Sequence, residues 1–489
     1  MKKLFSNFLL LLIAGFVCAQ HNPPGLNLIR IDDLKKDLYA FADAHFKGRS
    51  AGTLDELKAA MWLADKYRSI GLQPAGDEGT YFQFFNLWRN HVSDRSTIQI
   101  NNKTLSLWKE VAVAQMANIS INAPIVYLGD AASVDTNNLD VKEKVVAIEA
   151  NAKGINLNVS LPTWRYNRYI LNLYGAPLLR RGVKAIIFIA DETAERGWDD
   201  AAENFKRGSY DIDGGPNENV TTTIPVLWLH ASAKKELELN NATINANIII
   251  SKYSYPSVNV IGLIPGNDAK LKSEYVLYSG HIDAHGIRNE IKNDSIYYGA
   301  DDNGSVDVAM LANARAFVKY PSKRSILFVI HGAEERGLLG STYFSKHPTI
   351  PIKQIVAVLN GDMIGRNNID SAAILGFKPP HRNSLDLVNM TLAANKEGPN
   401  FKLDATWDET THIEGWYFRS DHLPYARLGI PAIMYTSLLH PDYHTPQDNA
   451  ENINYPKLKK MADWMYRTGW KVANSPKRPE TDKDFKLER

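Results

Sequence analysis

The chain has 489 residues, of which 44% are hydrophobic and 22% charged, and its formal net charge is +2 at pH 7. This composition is typical of a globular protein with material for two or three domains, and it excludes a disordered or fibrous chain. No basic stripe is present, which argues against a nucleic-acid-binding protein.

The first 19 residues have the pattern of a secretory signal peptide. They contain two lysines, an apolar run and a Val-Cys-Ala end, which predicts cleavage after Ala19. The apolar run is short for a membrane span, so a membrane anchor is the less favoured interpretation. Cys18 is the only cysteine and would leave with the signal. We therefore predict a secreted or periplasmic protein with no disulfide and no membrane span after cleavage.

The pattern of apolar and polar residues changes twice along the chain. Apolar residues recur at helical spacing from Leu57 to Tyr67, and Gly71 is a natural end for that helix. From about residue 90 to 255, short β-like runs alternate with polar turns. We predict a domain formed by residues 20–89 and 256–475, a β-rich domain inserted at residues 90–255, and a charged tail at residues 476–489.

The second half of the chain predicts an α/β domain. Residues 276–279 and 326–330 are short apolar runs that end at glycines, and further runs of this kind lie at residues 355–360 and 432–435. Their length and composition are those of buried parallel strands. A helix with apolar residues from Val306 to Phe317 lies between the first two runs. The expected fold is a mixed, largely parallel sheet flanked by helices.

Possible metal ligands follow the predicted strands. In open α/β sheets, functional residues collect beyond the carboxyl ends of the strands. Carboxylates gathered there would repel each other without a cation between them. Zinc accepts imidazole nitrogen together with carboxylate oxygen. The candidate ligands are His281, Asp301, Glu335, Asp362 and His444. Five ligands are too many for one tetrahedral zinc ion and suit two ions that share one carboxylate.

Two more acidic residues beside these ligands have predicted roles. Adjacent residues that leave a strand point in different directions. Glu335 can therefore bind metal while its neighbour Glu334 takes a proton from a water molecule between the ions. Asp283, two residues after His281, can accept the other imidazole N–H and fix the tautomer of that ligand.

The same segments carry a family resemblance. GHIDAHG, GADDNGS, GAEERGLLGS, NGDMIG and YHTPQD occur in that order, and in this the chain resembles the zinc-dependent peptidases of family M28. The likeness covers roughly residues 30–90 and 256–475. Through KVVAIEA, GVKAIIFIAD and IPVLWLH, the inserted segment resembles the protease-associated (PA) domain found in many of these enzymes. The resemblance implies a fold of the zinc-exopeptidase type.

The resemblance also implies a role for each site residue. Asp301 would bridge two zinc ions, or other divalent metals in their place. Glu334 would be the general base, and Tyr443 would donate a hydrogen bond to the developing oxyanion. The remaining ligands would be His281 and Asp362 for one ion, and Glu335 and His444 for the other. The substrate pocket would lie near Arg419, Ser420 and Asp421.

Other polar residues near the motifs are expected to be structural. Asp302 and Asn303 are interpreted as turn formers and helix caps. His331 leaves a buried strand and is expected to lie in the core. Four further histidines are not expected to bind metal: His285, His412, His422 and His440.

These observations predict a secreted, two-zinc exopeptidase that removes N-terminal residues from peptides. The inserted domain would limit access to the site or help to hold substrate. A carboxypeptidase or dipeptidase with the same metal site stays open as an alternative. A glutaminyl cyclase uses one zinc ion, which His281 argues against. A peptide-binding protein that has lost catalysis is disfavoured by the intact Glu334.

Overall fold

The computed structural model describes residues 22–135, 138–152, 164–239, 241–412 and 414–488. The predicted signal peptide, residues 1–19, lies outside these ranges. Across the described ranges, no helix is both long and apolar enough to cross a membrane.

A ten-stranded mixed sheet is the frame of the larger domain. Its central part consists of four parallel strands, in the spatial order Ala432–Thr436, Ile355–Gly361, Tyr275–His281 and Ser325–His331. These strands are almost wholly buried apolar runs, which a parallel sheet covered on both faces requires. The α/β fold predicted from the sequence is confirmed, with the parallel pairing concentrated in the centre of the sheet.

Further strands extend this sheet, most of them antiparallel to their neighbours. Beyond Ser325–His331 lie Ile250–Ile264, Phe82–Val92 and Ser209–Ile212, and Gln73–Pro74 pairs with the first of these. Beyond Ala432–Thr436 lie Ser371–Leu375 and Lys402–Leu403. A separate hairpin consists of Gly286–Ile291 and Asp294–Tyr297.

Helices cover both faces of the main sheet. Successive side chains of a strand point to opposite faces: Val276 and Tyr278 join one hydrophobic core, and Leu277 joins another. The larger core is closed by Ile31–Phe41, Leu54–Ile70, Ser305–Lys319, Leu385–Glu397 and Tyr455–Asn474. The smaller core is closed by Leu339–Lys346 and His422–Arg427.

A second sheet of eight strands is formed within residues 97–248. In spatial order its strands are Lys103–Thr104, Thr97–Ile100, Thr243–Ile248, Ile119–Asp130, Val145–Glu149, Ala185–Ile189, Val226–Leu229 and Val111–Gln115. Its helices are Trp164–Ile170, Ala176–Arg180, Glu192–Arg196, Trp198–Arg207 and Lys234–Leu237. Hydrophobic cores lie on both faces. We call this sheet and its helices, within residues 97–248, the second unit. Its likeness to a PA domain stays a prediction.

Two long antiparallel strands link the two sheets. Phe82–Val92 and Ile250–Ile264 pair from Phe82 opposite Val260 to Val92 opposite Ile250. The short strand Ser209–Ile212 follows the last helix before it, Trp198–Arg207, and pairs with Phe82–Val92 at the edge of the main sheet. The second unit is therefore attached to the main sheet by a strand of its own as well as by the chain that enters and leaves it.

Candidate metal centre

The four central strands bring possible metal ligands to one edge of the main sheet. His281 ends Tyr275–His281, and Asp362 directly follows Ile355–Gly361. Glu335 lies in the turn after Ser325–His331, and His444 lies in the loop after Ala432–Thr436. Because parallel strands end at the same edge, residues far apart in sequence meet there.

The first group of ligands is His281, Asp302 and Asp362, all buried. One donor atom from each lies within 4.8 Å of the others. Nε2 of His281 is 3.3 Å from Oδ1 of Asp302 and 3.9 Å from Oδ2 of Asp362. Nδ1 of the same ring is 3.0 Å from the backbone oxygen of Asp283. This contact suits a proton on Nδ1 and leaves the Nε2 lone pair facing the two carboxylates.

The second group is His285, Glu335 and His444, with donor atoms again within 4.8 Å of one another. Oε2 of Glu335 is 3.3 Å from Nε2 of His285, and Oε1 is 3.1 Å from Nε2 of His444. The two imidazole rings meet edge to face, with centroids 3.9 Å apart. His285 was expected to be a spare histidine, but the structure places it within ligand distance of Glu335.

Asp302 lies between the two groups. Its Oδ1 is 3.3 Å from Nε2 of His281, and its Oδ2 is 3.0 Å from Nε2 of His444. Burial opposes ionisation of Asp302, but the interactions with His281 and His444 outweigh it and lower the pKa of this carboxyl below its ordinary value. An ionised carboxylate with one oxygen facing each group has the geometry of a bridging ligand.

The structure does not place Asp301, the predicted bridging residue, between the two groups. Oδ1 of Asp301 accepts a hydrogen bond from the backbone N–H of Gly365 at 2.6 Å, and Oδ2 is 3.4 Å from Nε2 of His440. Asp448 accepts hydrogen bonds from the backbone N–H groups of both Asp301 and Asp302, at 2.9 and 3.1 Å. These bonds hold the turn so that only the second side chain faces the two groups.

The role predicted for Asp283 also changes. Its carboxylate Oδ1 is 3.8 Å from Nδ1 of His281, too far for a hydrogen bond. The carboxylate instead accepts hydrogen bonds from the backbone N–H groups of Glu334 and Glu335, at 2.8 and 3.2 Å. Asp283 therefore orients His281 through its backbone carbonyl and holds the turn of the two glutamates through its side chain.

Glu334 lies beside the first group. Its Oε2 is 3.7 Å from Nε2 of His281, and only 8% of the residue is exposed. Burial raises the pKa of Glu334 well above its ordinary value; Asp362 and Glu335 act in the same direction, while His281 acts against them. A carboxyl with a raised pKa at the edge of a site can accept a proton near neutral pH.

Tyr443 lies against the second group. Its ring stacks on that of His444, with centroids 3.6 Å apart and planes at 24°. Burial raises the pKa of Tyr443 well above its ordinary value, and the neighbouring Asp302 and Glu335 raise it further. The phenol therefore stays protonated at neutral pH and keeps a hydrogen-bond donor at the wall of the site.

His331, His412 and His422, which were expected not to bind metal, lie outside both groups. His331 is buried between Asn259 and Tyr425, with Nδ1 3.3 Å from the amide oxygen and Nε2 3.1 Å from the hydroxyl. His422 packs edge-on against the ring of Tyr417, and His412 stacks on Trp407. The structure places them where packing explains them.

The residues of both groups fit divalent cations. Among the described residues, Nε2 of His281, Nε2 of His285 and Oε1 of Glu335 are buried without a hydrogen-bond partner. Burial lowers the pKa of His281, but Glu334, Asp302 and Asp362 outweigh it and raise that pKa well above its ordinary value. The surroundings thus favour positive charge at the point where a cation would lie. Mixed imidazole and carboxylate donors suit zinc.

A cleft of about 860 Å³ opens onto the second group. Glu334, Glu335 and His444 lie at its floor together with His285 and Tyr443. Its walls come from both units of the chain: residues 165–172 and 200–210 come from the second unit, and residues 288, 336–338 and 414–419 come from the main domain. A ligand that reaches the metal groups therefore contacts both units.

Comparisons with known proteins show that part of the main domain is similar to a family of peptidases. Residues 259–468 match the sequence model of Peptidase family M28. Aminopeptidase YwaD of Bacillus subtilis (strain 168) is 29% identical over 192 residues, which cover 38% of this chain and 40% of that protein. A probable leucine aminopeptidase of Trichophyton verrucosum is 28% identical over 250 residues, covering 48% of this chain and 62% of that protein. The chain thus spans two fifths to three fifths of these relatives.

Solved structures share the fold over most of the chain. An aminopeptidase from Aneurinibacillus sp. strain AM-1 aligns with a TM-score of 0.59 at 18% identity, over 96% of this chain and 99% of that one. BSAP, a zinc aminopeptidase from Bacillus subtilis, aligns with a TM-score of 0.58 at 18% identity, over 95% and 100%. The family match covers all the residues of both ligand groups. The chain is thus similar to the peptidases of family M28 through residues 259–468.

Proposed function

We propose that this protein is an exopeptidase that removes N-terminal residues from peptides and uses two zinc ions. The observation that carries the proposal is the position of Asp302, whose two carboxylate oxygens face two separate ligand groups at 3.3 and 3.0 Å. One shared carboxylate between two imidazole and carboxylate groups is the arrangement of a paired-metal hydrolase.

Six residues would hold the ions. Asp302 would be shared by both. The others would be His281 and Asp362 for the first ion, and His285, Glu335 and His444 for the second. When bound, the ions would polarise the scissile carbonyl and lower the pKa of a water molecule between them.

Glu334 would move the proton during hydrolysis. It lies 3.7 Å from His281, its carboxyl is buried, and its pKa is raised well above the ordinary value by that burial. It would accept a proton from the attacking water and pass it to the leaving amine, so that one residue serves as base and then as acid. Tyr443, protonated and beside His444, would donate a hydrogen bond to the carbonyl oxygen as negative charge develops on it.

The second unit would restrict which peptides reach this site. Its helices and the strand Ser209–Ile212 supply one side of the cleft over the metal groups. A folded protein would not enter a cleft of about 860 Å³, whereas a chain end would, which agrees with an exopeptidase. The pattern of residues 1–19 supports secretion or export to the periplasm.

Hydrolysis of one peptide in two forms tests the proposal. Leu-Gln-Ala amide and its N-acetylated form are incubated with the protein as purified, after chelation, and after zinc is restored, and the products are identified by mass spectrometry. We expect release of leucine from the free peptide alone, lost on chelation and regained with zinc. Glu334→Gln serves as the matched control for a contaminating peptidase.

Two results would contradict the proposal in different ways. Equal cleavage of both peptides would show that the site does not recognise the free amino group, and a carboxypeptidase would then be favoured. Zinc-independent cleavage that persists in Glu334→Gln would assign the activity to something other than this site.

A further inference from the structure

Arginine is concentrated in the cleft above the candidate metal centre. Six arginines line it, without any lysine among the described lining residues: Arg165, Arg168, Arg207, Arg288, Arg336 and Arg419. Four carboxylates line the same cleft, but Glu334 and Glu335 belong to the metal centre. Asp200 and Glu414 are the two other carboxylates among the described lining residues, beside six guanidinium groups.

Three of the arginines gather beside Glu335. Nη2 of Arg336 donates a hydrogen bond to Oγ of Ser50 at 3.0 Å, and its guanidinium lies over the ring of Tyr210 at 5.3 Å. Nη2 of Arg288 is 3.6 Å from Oδ1 of Asp200. Burial lowers the pKa of Arg207 to about 9, and the charges of Arg336 and Arg288 contribute to the fall. These positive charges are close enough to repel each other.

The other three arginines form a second group, near Tyr443. Arg165 from the second unit and Arg419 from the main domain both form an ion pair with the carboxylate of Glu414. One negative charge is thus shared by two positive charges. Arg168, one helical turn after Arg165, is exposed and forms no ion pair with any described residue. This second group also carries an excess of positive charge.

An excess of arginine in a partly buried cleft is unfavourable unless something negative enters it. Like charges in a desolvated site raise each other's free energy. A carboxylate that enters offsets this repulsion and can form paired hydrogen bonds with a guanidinium fork. The zinc ions proposed at the floor would neutralise the carboxylates there, so those carboxylates would not offset the arginines as well.

We propose that the cleft selects peptides that carry a carboxylate, from an acidic side chain or from the free C-terminus of a short peptide. This inference rests on the proposed exopeptidase function and specifies its substrate class. The peptide would lie with its N-terminal residue at the metal centre and its carboxylate among the arginines that line the cleft.

Four peptides that differ only in charge test the inference. Leu-Glu-Ala and Leu-Gln-Ala are each made with a free and an amidated C-terminus, and leucine release is measured with the zinc-loaded protein at low salt. We expect a carboxylate to raise kcat/KM by about tenfold, mainly through KM, as charge-assisted hydrogen bonds imply. The gain should shrink as salt screens the charges.

Substitutions separate the arginines from the metal ions as the source of any preference. Arg168→Gln and Arg207→Gln should each reduce the preference at least about threefold, and Arg207→Lys should retain part of it because the charge remains. The matched control is Arg196→Gln, an exposed arginine of the second unit that pairs with Glu192 at 3.7 Å and does not line the cleft. It should leave all four rates unchanged.

Each outcome decides the question. If kcat/KM is higher for Leu-Glu-Ala amide than for Leu-Gln-Ala amide, the cleft recognises the carboxylate of a side chain. If kcat/KM is higher for Leu-Gln-Ala with a free C-terminus than for its amide, the cleft recognises the C-terminal carboxylate. Equal hydrolysis of all four overturns this inference and leaves the exopeptidase proposal intact. If none is hydrolysed, calorimetric binding of the same peptides to Glu334→Gln replaces the rates. Equal affinities would then overturn the inference, whereas tighter binding of the acidic peptides would support it even though the exopeptidase proposal fails.

Discussion

Replacing Asp301 and Asp302 one at a time with asparagine separates two adjacent carboxylates that the structure gives different tasks. Asp302→Asn removes a negative charge that faces His281 at 3.3 Å and His444 at 3.0 Å. Asp301→Asn keeps an oxygen that can still accept the hydrogen bond from Gly365, now 2.6 Å long. Burial and the nearby Asp448 raise the pKa of Asp301 well above its ordinary value, so a neutral amide is a close substitute there.

The two variants should differ strongly in metal affinity. Loss of a residue that only supports a ligand typically costs 10–100-fold in affinity, so loss of a shared ligand should cost at least about 100-fold for each ion. At saturating zinc this removes about 2.7 kcal/mol of stabilisation per ion, or about 5 kcal/mol for two. Asp301→Asn should lose no more than a weakened hydrogen bond, about 1 kcal/mol.

Metal analysis after gel filtration and thermal unfolding with and without zinc measure both effects. Asp302→Asn should emerge with little zinc, and its unfolding temperature should respond little to added zinc. Asp301→Asn should keep two ions per chain and respond as the unaltered protein does. The reverse pattern, with zinc lost from Asp301→Asn and kept by Asp302→Asn, would refute the bridging position of Asp302.

Four further substitutions test other parts of the site. Glu334→Gln should keep both ions but lower kcat by about 10²–10⁴-fold, the range of a general base, and Tyr443→Phe should lower kcat by about 10²-fold with little change in KM. His285→Ala should weaken one ion about 10–100-fold and leave the other, read by metal titration. Burial, aided by Asp283, raises the pKa of Glu56 to about 8, so the folded state holds more protons than the unfolded state above the ordinary value of 4.5. Glu56 should therefore contribute a fall of roughly 4–5 kcal/mol in the stability of the zinc-free protein as pH rises from about 4.5 to 8, and Glu56→Gln should reduce the pH slope in urea unfolding by that amount.

Each of these predictions has an outcome that would contradict it. A near-normal rate in Glu334→Gln would remove that residue as the base, and a Tyr443→Phe variant that changes KM alone would make the phenol a binding group. Simultaneous loss of both ions from His285→Ala would show that the two groups do not bind independently. If Glu56→Gln leaves the pH slope of the unaltered protein unchanged, Glu56 does not contribute to it.

The strands of the main domain could be predicted because their signal is local. The runs at residues 276–279 and 326–330 are continuous apolar stretches that end at glycine, and they form Tyr275–His281 and Ser325–His331. Once the strands are parallel, their carboxyl ends share an edge, so residues such as Asp362 and His444 are expected together whatever their separation in sequence. Local pattern and one rule of topology were enough for this part.

The local sequence pattern does not show which of Asp301 and Asp302 faces the two ligand groups. Both are acidic, both lie in the same turn before Ser305–Lys319, and either can face the site. Asp448 lies nearly 150 residues away in sequence, and its carboxylate accepts hydrogen bonds from the backbone N–H groups of both residues. These hydrogen bonds set the direction of each side chain. His285 is similar: the backbone N–H of the next residue, Gly286, donates to the backbone oxygen of Gly48 at 3.0 Å, which helps to fix the loop.

The arginine-lined cleft depends on a contact that sequence pattern does not reveal. Ser209–Ile212 alternates polar and apolar residues, but it is only four residues long, the shortest run in which such alternation indicates a strand. It forms because Phe82–Val92 offers an unpaired edge, with Leu87 opposite Ile212 and Asn90 opposite Ser209. This pairing carries the end of the preceding helix, and with it Arg207, to the wall above Glu335. The charge of the cleft is thus a property of how the second unit joins the main sheet, and a change in that junction should alter substrate preference before it alters the metal centre.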